Sequence, residues 1–480
     1  MIRLRIPGGV ISSEQWLATH EISEQYGTGT LKITTRQTLQ LHGLLKHQLR
    51  PTIQAFNTAK LDSIAACGDV NRNVIASSHP QLSPLHQQIY EYADKISTLL
   101  LPKTQSYYEV FIDGEKIYER SSEADPLYED RYLPRKFKIA IAIPPSNDVD
   151  VFTNDIGLIA IVENNELKGF NIAIGGGLAT THGNPNTYSR LASLIGFTDS
   201  EEKTLKAVYE ILTIQRDFGN RSDRKLSRMK YTVDKLTVAG FKQELENRIG
   251  FRLEPIKPFS FTERGDRYGW EKSHQGKWYY TLFVEHGVVQ PEQKQFLFDL
   301  AQLHVSNFIF SGNQNLILGN IAENDKDAVA ALIESYGIDK NVSALRRNSM
   351  ACVALPTCPL ALAEAQRYLP ELVTKIEPLL EKYNLQSDEI VIRMTGCPNG
   401  CGRPYVAELG FVGTGPGHYN LMLGGDRFGE RLNTLYKEKL NETQILTEVD
   451  YLLGRYVTEK QEYETFGDFT DRTFFREGTL

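Results

Sequence analysis

The chain has 480 residues, 41% of them hydrophobic and 24% charged, and a net charge of −7. That composition is globular, long enough for several buried cores, and its acidic balance excludes a global basic field for nucleic acid or a membrane surface. The longest apolar runs, such as Ile139 to Ile143, fall far short of a bilayer span, and the opening Met1-Ile2-Arg3-Leu4-Arg5 has no signal-peptide core, so a cytoplasmic protein that binds neither nucleic acid nor membrane is expected.

Residues 4 to 43 read as a strand, a turn, a helix and a second alternating strand, with Pro7-Gly8-Gly9-Val10-Ile11 at one end and Thr34-Thr35-Arg36-Gln37-Thr38-Leu39-Gln40-Leu41 at the other. Residues 282 to 319 repeat this, with Glu285-His286-Gly287-Val288-Val289 and Ser311-Gly312-Asn313-Gln314-Asn315-Leu316-Ile317-Leu318. A second echo pairs Phe170-Asn171-Ile172-Ala173-Ile174-Gly175-Gly176 with Tyr419-Asn420-Leu421-Met422-Leu423-Gly424-Gly425, in the same order within each half. The chain is therefore an internal duplication, a small α+β unit followed by a larger α/β unit, twice, with a joint near residues 250 to 275. The period is too long for a solenoid, which leaves a pseudo-twofold packing.

Between the echoes, Lys136 to Ile143 alternates and stops at Pro144-Pro145, the pattern of a strand. Lys136 and Lys138 then share one face. They fit a solvated edge strand as well as an anion site. Arg216 to Lys230 is locally basic, and Arg221, Arg224 and Arg228 at helical spacing make either a solvated helix face or a basic stripe. Gly175-Gly176-Gly177 lacks the G-x-G-x-x-G pattern, and its echo points to a structural turn. No Walker or dinucleotide fingerprint occurs, so any pyridine nucleotide is oxidised on another polypeptide. Cys67 reads as a core thiol and His42 as a packed histidine.

The remaining four of five cysteines form two tight pairs, Cys352/Cys358 and Cys397/Cys401. Glu389 to Met394 is a strand that delivers Cys397 into a Pro398-Asn399-Gly400 turn, and Pro359 to Tyr368 is expected to be a helix with Cys358 at its N-terminus. Zinc suits the C-x3-C pair but not the C-x5-C pair, whereas four thiolates in Pro/Gly-closed loops suit a [4Fe-4S] cluster. Unliganded core thiols are the third reading.

The stretches Cys352-Val353-Ala354-Leu355-Pro356-Thr357-Cys358-Pro359 and Thr395-Gly396-Cys397-Pro398-Asn399-Gly400-Cys401-Gly402-Arg403 resemble the cluster motifs of the sulfite and nitrite reductase haemoprotein family. So do Asp69-Val70-Asn71-Arg72-Asn73-Val74, Tyr132-Leu133-Pro134-Arg135-Lys136-Phe137-Lys138 and Phe466-Gly467-Asp468-Phe469. The resemblance implies an internally duplicated α+β fold: ferredoxin-like half-domains at 1–62 and 258–338, and α/β domains at 63–250 and 345–475, the last carrying the iron-sulfur cluster. It also implies a sirohaem coupled to a [4Fe-4S] cluster on Cys352, Cys358, Cys397 and Cys401, with Cys401 shared between cluster and sirohaem iron.

By the same resemblance Arg3, Arg72, Lys136 and Lys138 cage the substrate, and Arg36, Gln40, Arg135, Arg228 and Asn399 contact the sirohaem. The implied reaction is six-electron reduction of sulfite to sulfide in assimilatory sulfur metabolism and cysteine biosynthesis, fed from NADPH by a flavoprotein reductase subunit. Sirohaem nitrite reduction and a non-catalytic four-cysteine metal scaffold are the alternatives; the Leu355-Pro356-Thr357-Cys358-Pro359-Leu360 stretch favours sulfite. Members carry a longer N-terminal extension than the segment before Pro7, so a truncated or unusual variant is expected, with Arg3 at a frayed end and partner docking in doubt.

Overall fold

Both echoes fold as the same local motif made twice. A computed structural model of the chain describes residues 1–79, 83–103, 109–112, 115–119, 124–338 and 342–476. The first small unit runs β1 (Ile2–Arg3), β2 (Val10–Ile11), α1 (Ser13–Tyr26), β3 (Leu31–Ile33), β4 (Leu39–Leu41) and α2 (Leu49–Thr58). Ser12 and Gln15 start α1 with a reciprocal cap, each side chain accepting the other's backbone N–H. The first large unit runs β5 (Ile75–Ala76), α3 (His86–Leu99), β6 (Glu109–Ile112), β7 (Glu115–Glu119), β8 (Ile139–Ala142), β9 (Ile156–Glu163), β10 (Glu166–Ile174), β11 (Ser193–Thr198), α4 (Glu201–Phe218), α5 (Met229–Leu236) and α6 (Val238–Ile249).

The second small unit follows as β12 (Gly269–Lys272), β13 (Trp278–Leu282), α7 (Pro291–Gln302), β14 (Asn307–Phe310), β15 (Leu316–Ile321) and α8 (Lys326–Tyr336). The second large unit is α9 (Ala344–Arg347), β16 (Ser349–Ala351), α10 (Leu369–Lys382), β17 (Ile392–Thr395), β18 (Leu409–Gly415), β19 (His418–Leu423), β20 (Thr434–Leu440), α11 (Glu442–Glu459) and α12 (Phe466–Asp471).

The two large sheets have one topology. In the order β5-β8-β9-β10-β11 the first three strands are parallel and the last two antiparallel, and β16-β17-β18-β19-β20 repeats this strand for strand. Strand β8 and most of β9 are continuous buried apolar runs, as sheets covered by helices require, whereas β17 carries the buried Arg393. The small units interlock: β2 of the first pairs with β14 of the second, and Trp16 of α1 stacks on Phe308 at 4.9 Å, so both share one core. Arg3 is not frayed; it pairs with Gln40 in the β1–β4 ladder. Among the described residues no helix is long and apolar enough to cross a membrane.

The glycine echo is structural. Gly175 and Gly424 take φ of +80° and +88°, and a Cβ on the following Gly176 or Gly425 would lie 2.2 Å from the Phe152 carbonyl oxygen or 2.3 Å from that of Ala407.

Four local expectations need correction. Phe137 bridges to Asn71, but regular pairing of the Lys136–Ile143 segment begins only at Ile139, because the Arg36 guanidinium takes the Asn73 and Ile139 carbonyls and Asp155 takes the Lys138 N–H. The basic run is not one helix: α4 stops at Phe218, Asn220 then folds a turn by accepting from Ser222 and Asp223 N–H, and α5 starts only at Met229. Pro359 to Tyr368 is irregular, since its amides are drawn to the cysteine loops: Leu362 and Ala363 donate to the Gly396 carbonyl, and Gln366 to that of Cys352. Cys67 is exposed, in a turn whose Ala66 and Gly68 carbonyls face the Arg72 guanidinium.

Candidate active site

Parallel strands β16 and β17 place Cys352 and Cys397 side by side at their C-terminal ends, with Ala351 paired to Met394. The Gly396 N–H and Thr395 hydroxyl donate to Cys352 Sγ at 3.3 and 3.4 Å, and the Asn399 amide donates to Cys397 Sγ at 3.5 Å. Such donors are the means by which a protein sets the potential of thiolate-bound iron. The loop from Val353 to Gln366 closes over them, with Leu362 and Ala363 N–H on the Gly396 carbonyl at 2.7 and 3.0 Å. That approach needs glycine, since a Cβ on Gly396 would meet the Ala363 oxygen at 2.5 Å, and one on Gly402 would meet the Met394 oxygen at 2.5 Å.

Cys397 is buried, Cys352 and Cys358 are half-buried, and Cys401 is exposed. Burial and then the neighbouring Cys401 push the Cys352 thiol up to about 11, and burial raises that of Cys397. Clustered thiols in this setting are poor thiolates on their own and need bound positive charge to ionise. Among the described residues no three His, Cys, Asp or Glu side chains enclose a single-ion site. Four thiols on two facing loops, two of them already receiving N–H and hydroxyl donors, fit a thiolate-held iron-sulfur cluster.

Cys401 opens into a cavity built from both halves. Its wall carries Arg36, Lys136, Lys138 and Arg228 from the first half, Asn399 and Arg403 from the second, and no acidic side chain. Arg228, at the head of α5, pairs with buried Asp155 at 2.9 Å, and the Lys138 backbone N–H donates to the same carboxylate at 2.8 Å. Arg36, in the β3–β4 turn, donates to Asn154 Oδ1 at 2.5 Å and to the Ile139 carbonyl at 2.8 Å. Nε of Arg36, Arg228 and Arg403 is buried without a partner, and neither the Lys136 nor the Lys138 ammonium has a hydrogen bond or ion pair among the described residues.

The electrostatics follow. Burial, then Arg228 and Arg135, hold Lys136 down to about 8 against the favourable pull of Cys401; burial, then Lys136, Arg228 and Arg36, hold Lys138 well below the ordinary lysine range. A half-buried group of cations with unused donors fits a polyanion, and a tetrapyrrole bearing carboxylates supplies one.

Other predicted residues stand further out. Arg3 donates to Gln40 Oε1 at 2.7 Å and Gln40 to His42 at 2.7 Å, away from the cavity wall. Arg72 donates to the Gly68 and Ala66 carbonyls at 2.9 and 3.0 Å, yet its charge still acts on Lys136 and Arg36. Arg135 lies 3.9 Å from Asp69. Of the basic run only Arg228 reaches the cavity; Arg221 donates to the Arg131 and Tyr132 carbonyls and Arg224 pairs with Asp69 on the surface. Sequence reasoning missed Asn154, Arg403 and Lys230. Arg403 ends the Cys401-Gly402-Arg403 motif and was findable there. Lys230, 1% exposed, donates to the Gly177, Ala179 and Tyr188 carbonyls and so braces the loop that lines the cavity, a role that no pattern announces.

Comparison with known proteins agrees with this architecture. The model of the nitrite/sulfite reductase ferredoxin-like half domain matches twice, at residues 1–59 and 271–336, and that of the nitrite and sulphite reductase 4Fe-4S domain matches residues 91–253. A sulfite reductase [NADPH] hemoprotein beta-component of Leptospira biflexa is 55% identical over 98% of this chain and 86% of its own. One from Bacillus subtilis is 50% identical over 98% of this chain and 84% of its own. The solved NirA protein of Mycobacterium tuberculosis shares the fold, with a TM-score of 0.80 at 24% identity over 98% of this chain and 83% of its own. These matches, with relatives at 50–55% identity over 98% of its length, show that the chain belongs to the nitrite and sulfite reductase family.

Proposed function

We propose that the chain reduces sulfite to sulfide, taking up six electrons and releasing the three oxygens as water. The carrying observation is the cavity in which Cys401 faces the unpaired ammonium groups of Lys136 and Lys138. Cys352, Cys358, Cys397 and Cys401 would hold a [4Fe-4S] cluster, and Arg36, Arg228, Arg403 and Asn399 a sirohaem, with Cys401 common to both. When bound, those groups supply electron storage and an open iron site for the substrate.

The chain's own residues perform the rest. Lys136 and Lys138 attract the oxyanion into a cavity with no competing carboxylate and polarise its S–O bonds. A lysine ammonium can give up a proton where an arginine cannot, so the pair also delivers the protons that leave as water. Arg72 and Arg135 stand outside the cavity wall and act on Lys136 through their charge, while Arg3 and Gln40, paired with each other, would meet the substrate or cofactor only beyond that wall. Electrons come from NADPH through a separate flavoprotein component in the cytoplasm; the beta-component naming of the relatives supports this.

The test is anaerobic purification, an absorption spectrum with iron and tetrapyrrole analysis, then sulfide production from sulfite with a chemical reductant. Sulfide formed faster than ammonia from nitrite under the same conditions is the expected result; absence of tetrapyrrole and iron overturns the reading.

A further inference from the structure

Duplication makes two cavities, and the second has its own chemistry. Glu389 and Val391 lead into β17 as Lys136 and Lys138 lead into β8. Arg427 and Phe428 follow β19 as Leu178 and Ala179 follow β10, and Asn313 sits in the β14–β15 turn as Arg36 sits in the β3–β4 turn. These residues line a solvent-open cavity of about 530 Å³ and a smaller, more enclosed recess beside it that shares Arg264, Arg347 and Asn348 and adds Arg393.

The second cavity has lost the metal chemistry of the first. Asp148 stands at the place of Cys401, fully buried, its carboxylate taken by the Ser77 and Ser78 hydroxyls at 2.8 and 2.9 Å and by the Ser78 N–H at 2.8 Å. What it keeps is arginine. Arg264 is 4% exposed; its Nε donates to Asp150 at 2.7 Å and its Nη1 to the Asp426 and Arg427 carbonyls, while Nη2 has no partner. Arg393, 3% exposed, donates through Nη1 to the other Asp150 oxygen at 2.6 Å. Arg347 lies 4.8 Å over the Tyr268 ring with its Nε buried and unpartnered.

The carboxylates that face this space are already engaged. Asp266 accepts from Ser311 at 2.5 Å and pairs with His79 at 3.0 Å, Glu263 pairs with Arg267 at 2.5 Å, Glu271 lies 3.9 Å from Arg267, and Glu389 pairs with Arg427. Three guanidiniums, two of them (Arg264 and Arg347) with buried unpartnered nitrogens, thus face a recess whose one lining carboxylate, Asp266, is already held by Ser311 and His79, while Asp150 is shared between Arg264 and Arg393. A buried donor left unmade costs free energy, and a guanidinium presents its donors in a fork that matches tetrahedral oxyanions.

We propose that this recess binds a small oxyanion of the sulfate or phosphate class, held by Arg264, Arg347 and Arg393, at a site separate from the cavity beside Cys401. The enclosed recess selects a compact ion, and the mouth formed by the Arg267 and Arg427 ion pairs admits it from solvent.

Crystals of the cofactor-loaded protein soaked in sodium selenate test this directly. An anomalous selenium peak beside Arg264 Nη2 and Arg347 is expected; selenium in the first cavity alone, or none, overturns the proposal. In solution, sodium sulfate is compared with sodium chloride at matched ionic strength. Saturable thermal stabilisation is expected in the native protein, with apparent affinity lowered about tenfold or more in Arg347→Gln, in keeping with loss of a charged hydrogen bond, while sulfite turnover is retained. Equal stabilisation of both proteins marks a general salt effect and also overturns it. The selenate soak of the native protein decides the matter if the variant fails to fold.

Discussion

Asp150 and Arg403 occupy matching places in the two halves and pair with each other at 2.8 Å. Each follows a parallel strand, β8 or β17, and each is the left-handed residue, φ 47° and 56°, that opens a short 3-10 turn. The same carboxylate also takes Arg264 at 2.7 Å and Arg393 at 2.6 Å. One fully buried aspartate of the first half therefore gathers three buried guanidiniums of the second, two of them in the large unit that carries the cysteines.

Replacing Asp150 by Asn should be costly because it strands buried charge. Burial pushes this carboxyl up, but Arg264, Arg393 and Arg403 together hold it well below the ordinary carboxylate range. Breaking one partner of a buried pair costs roughly 3–5 kcal/mol, so Asp150→Asn should lose stability on that scale in urea unfolding. Removing the exposed Lys168 beside Glu166 should leave the midpoint nearly unmoved. A midpoint for Asp150→Asn equal to that of the native protein would contradict the structural role given to the cluster.

Cys401→Ser separates cluster from haem. The other three cysteines are outside the cavity wall, and the Gly396, Thr395 and Asn399 donors to Cys352 and Cys397 are left intact. The expected outcome is retained iron at reduced occupancy, loss of spectroscopic coupling between the two groups, and loss of sulfite turnover. Unchanged coupling in electron paramagnetic resonance spectra removes Cys401 from its assigned place.

The duplication was legible because β-sheet alternation and turn glycines survive divergence: Gln37 and Gln314 still hold the same left-handed turn position, φ 50° and 73°. The cysteines were legible because spacing is local. What the sequence concealed depends on contacts between distant segments. Pro359 to Tyr368 has helical composition, yet the Gly396 and Cys352 carbonyls claim its amides. Arg221, Arg224 and Arg228 share helical spacing, but Gly219 and Asn220 break the helix and send only Arg228 inward. Asn154 and Lys230 act through backbone carbonyls and neighbouring side chains, and nothing in their own sequence neighbourhood marks them.

Lys136→Ala should keep both cofactors and lose sulfite turnover by about 10²–10⁴-fold, the usual range for a positioned proton donor. The depressed ammonium also has a signature in stability. Lys136 falls from 10.5 to about 8 on folding, so between those values the unfolded chain binds more protons and the cofactor-free protein should gain stability as pH rises. Loading a polyanion raises the folded value and should flatten that slope. Calorimetry of cofactor-free and loaded protein across pH 8 to about 10.5 checks both, and an identical slope in the two forms contradicts the assignment of an anionic ligand to this cavity.

Glu408 gives the opposite sign and connects the C-terminal Phe466-Gly467-Asp468-Phe469 stretch to the sheet. Its side chain, 1% exposed, accepts from the Val391 N–H at 2.9 Å and the Gly467 N–H at 2.9 Å, while a Cβ on Gly467 would lie 1.9 Å from the Gly425 oxygen. Glycine is therefore required where α12 docks, and Glu408 is the clasp. Burial lifts its carboxyl from 4.5 to about 7, more than the two backbone donors pull it down. With the folded value raised, the native protein binds the extra proton between those limits, so the contribution of Glu408 is fully present below pH 4.5 and is lost as pH rises towards 7. Glu408→Gln keeps one acceptor and carries no charge. Its amide nitrogen then faces the other backbone N–H, so the variant should be less stable than the native protein near pH 5 and should lack this part of the pH dependence. A native-like slope in Glu408→Gln unfolding curves would assign that dependence to another group.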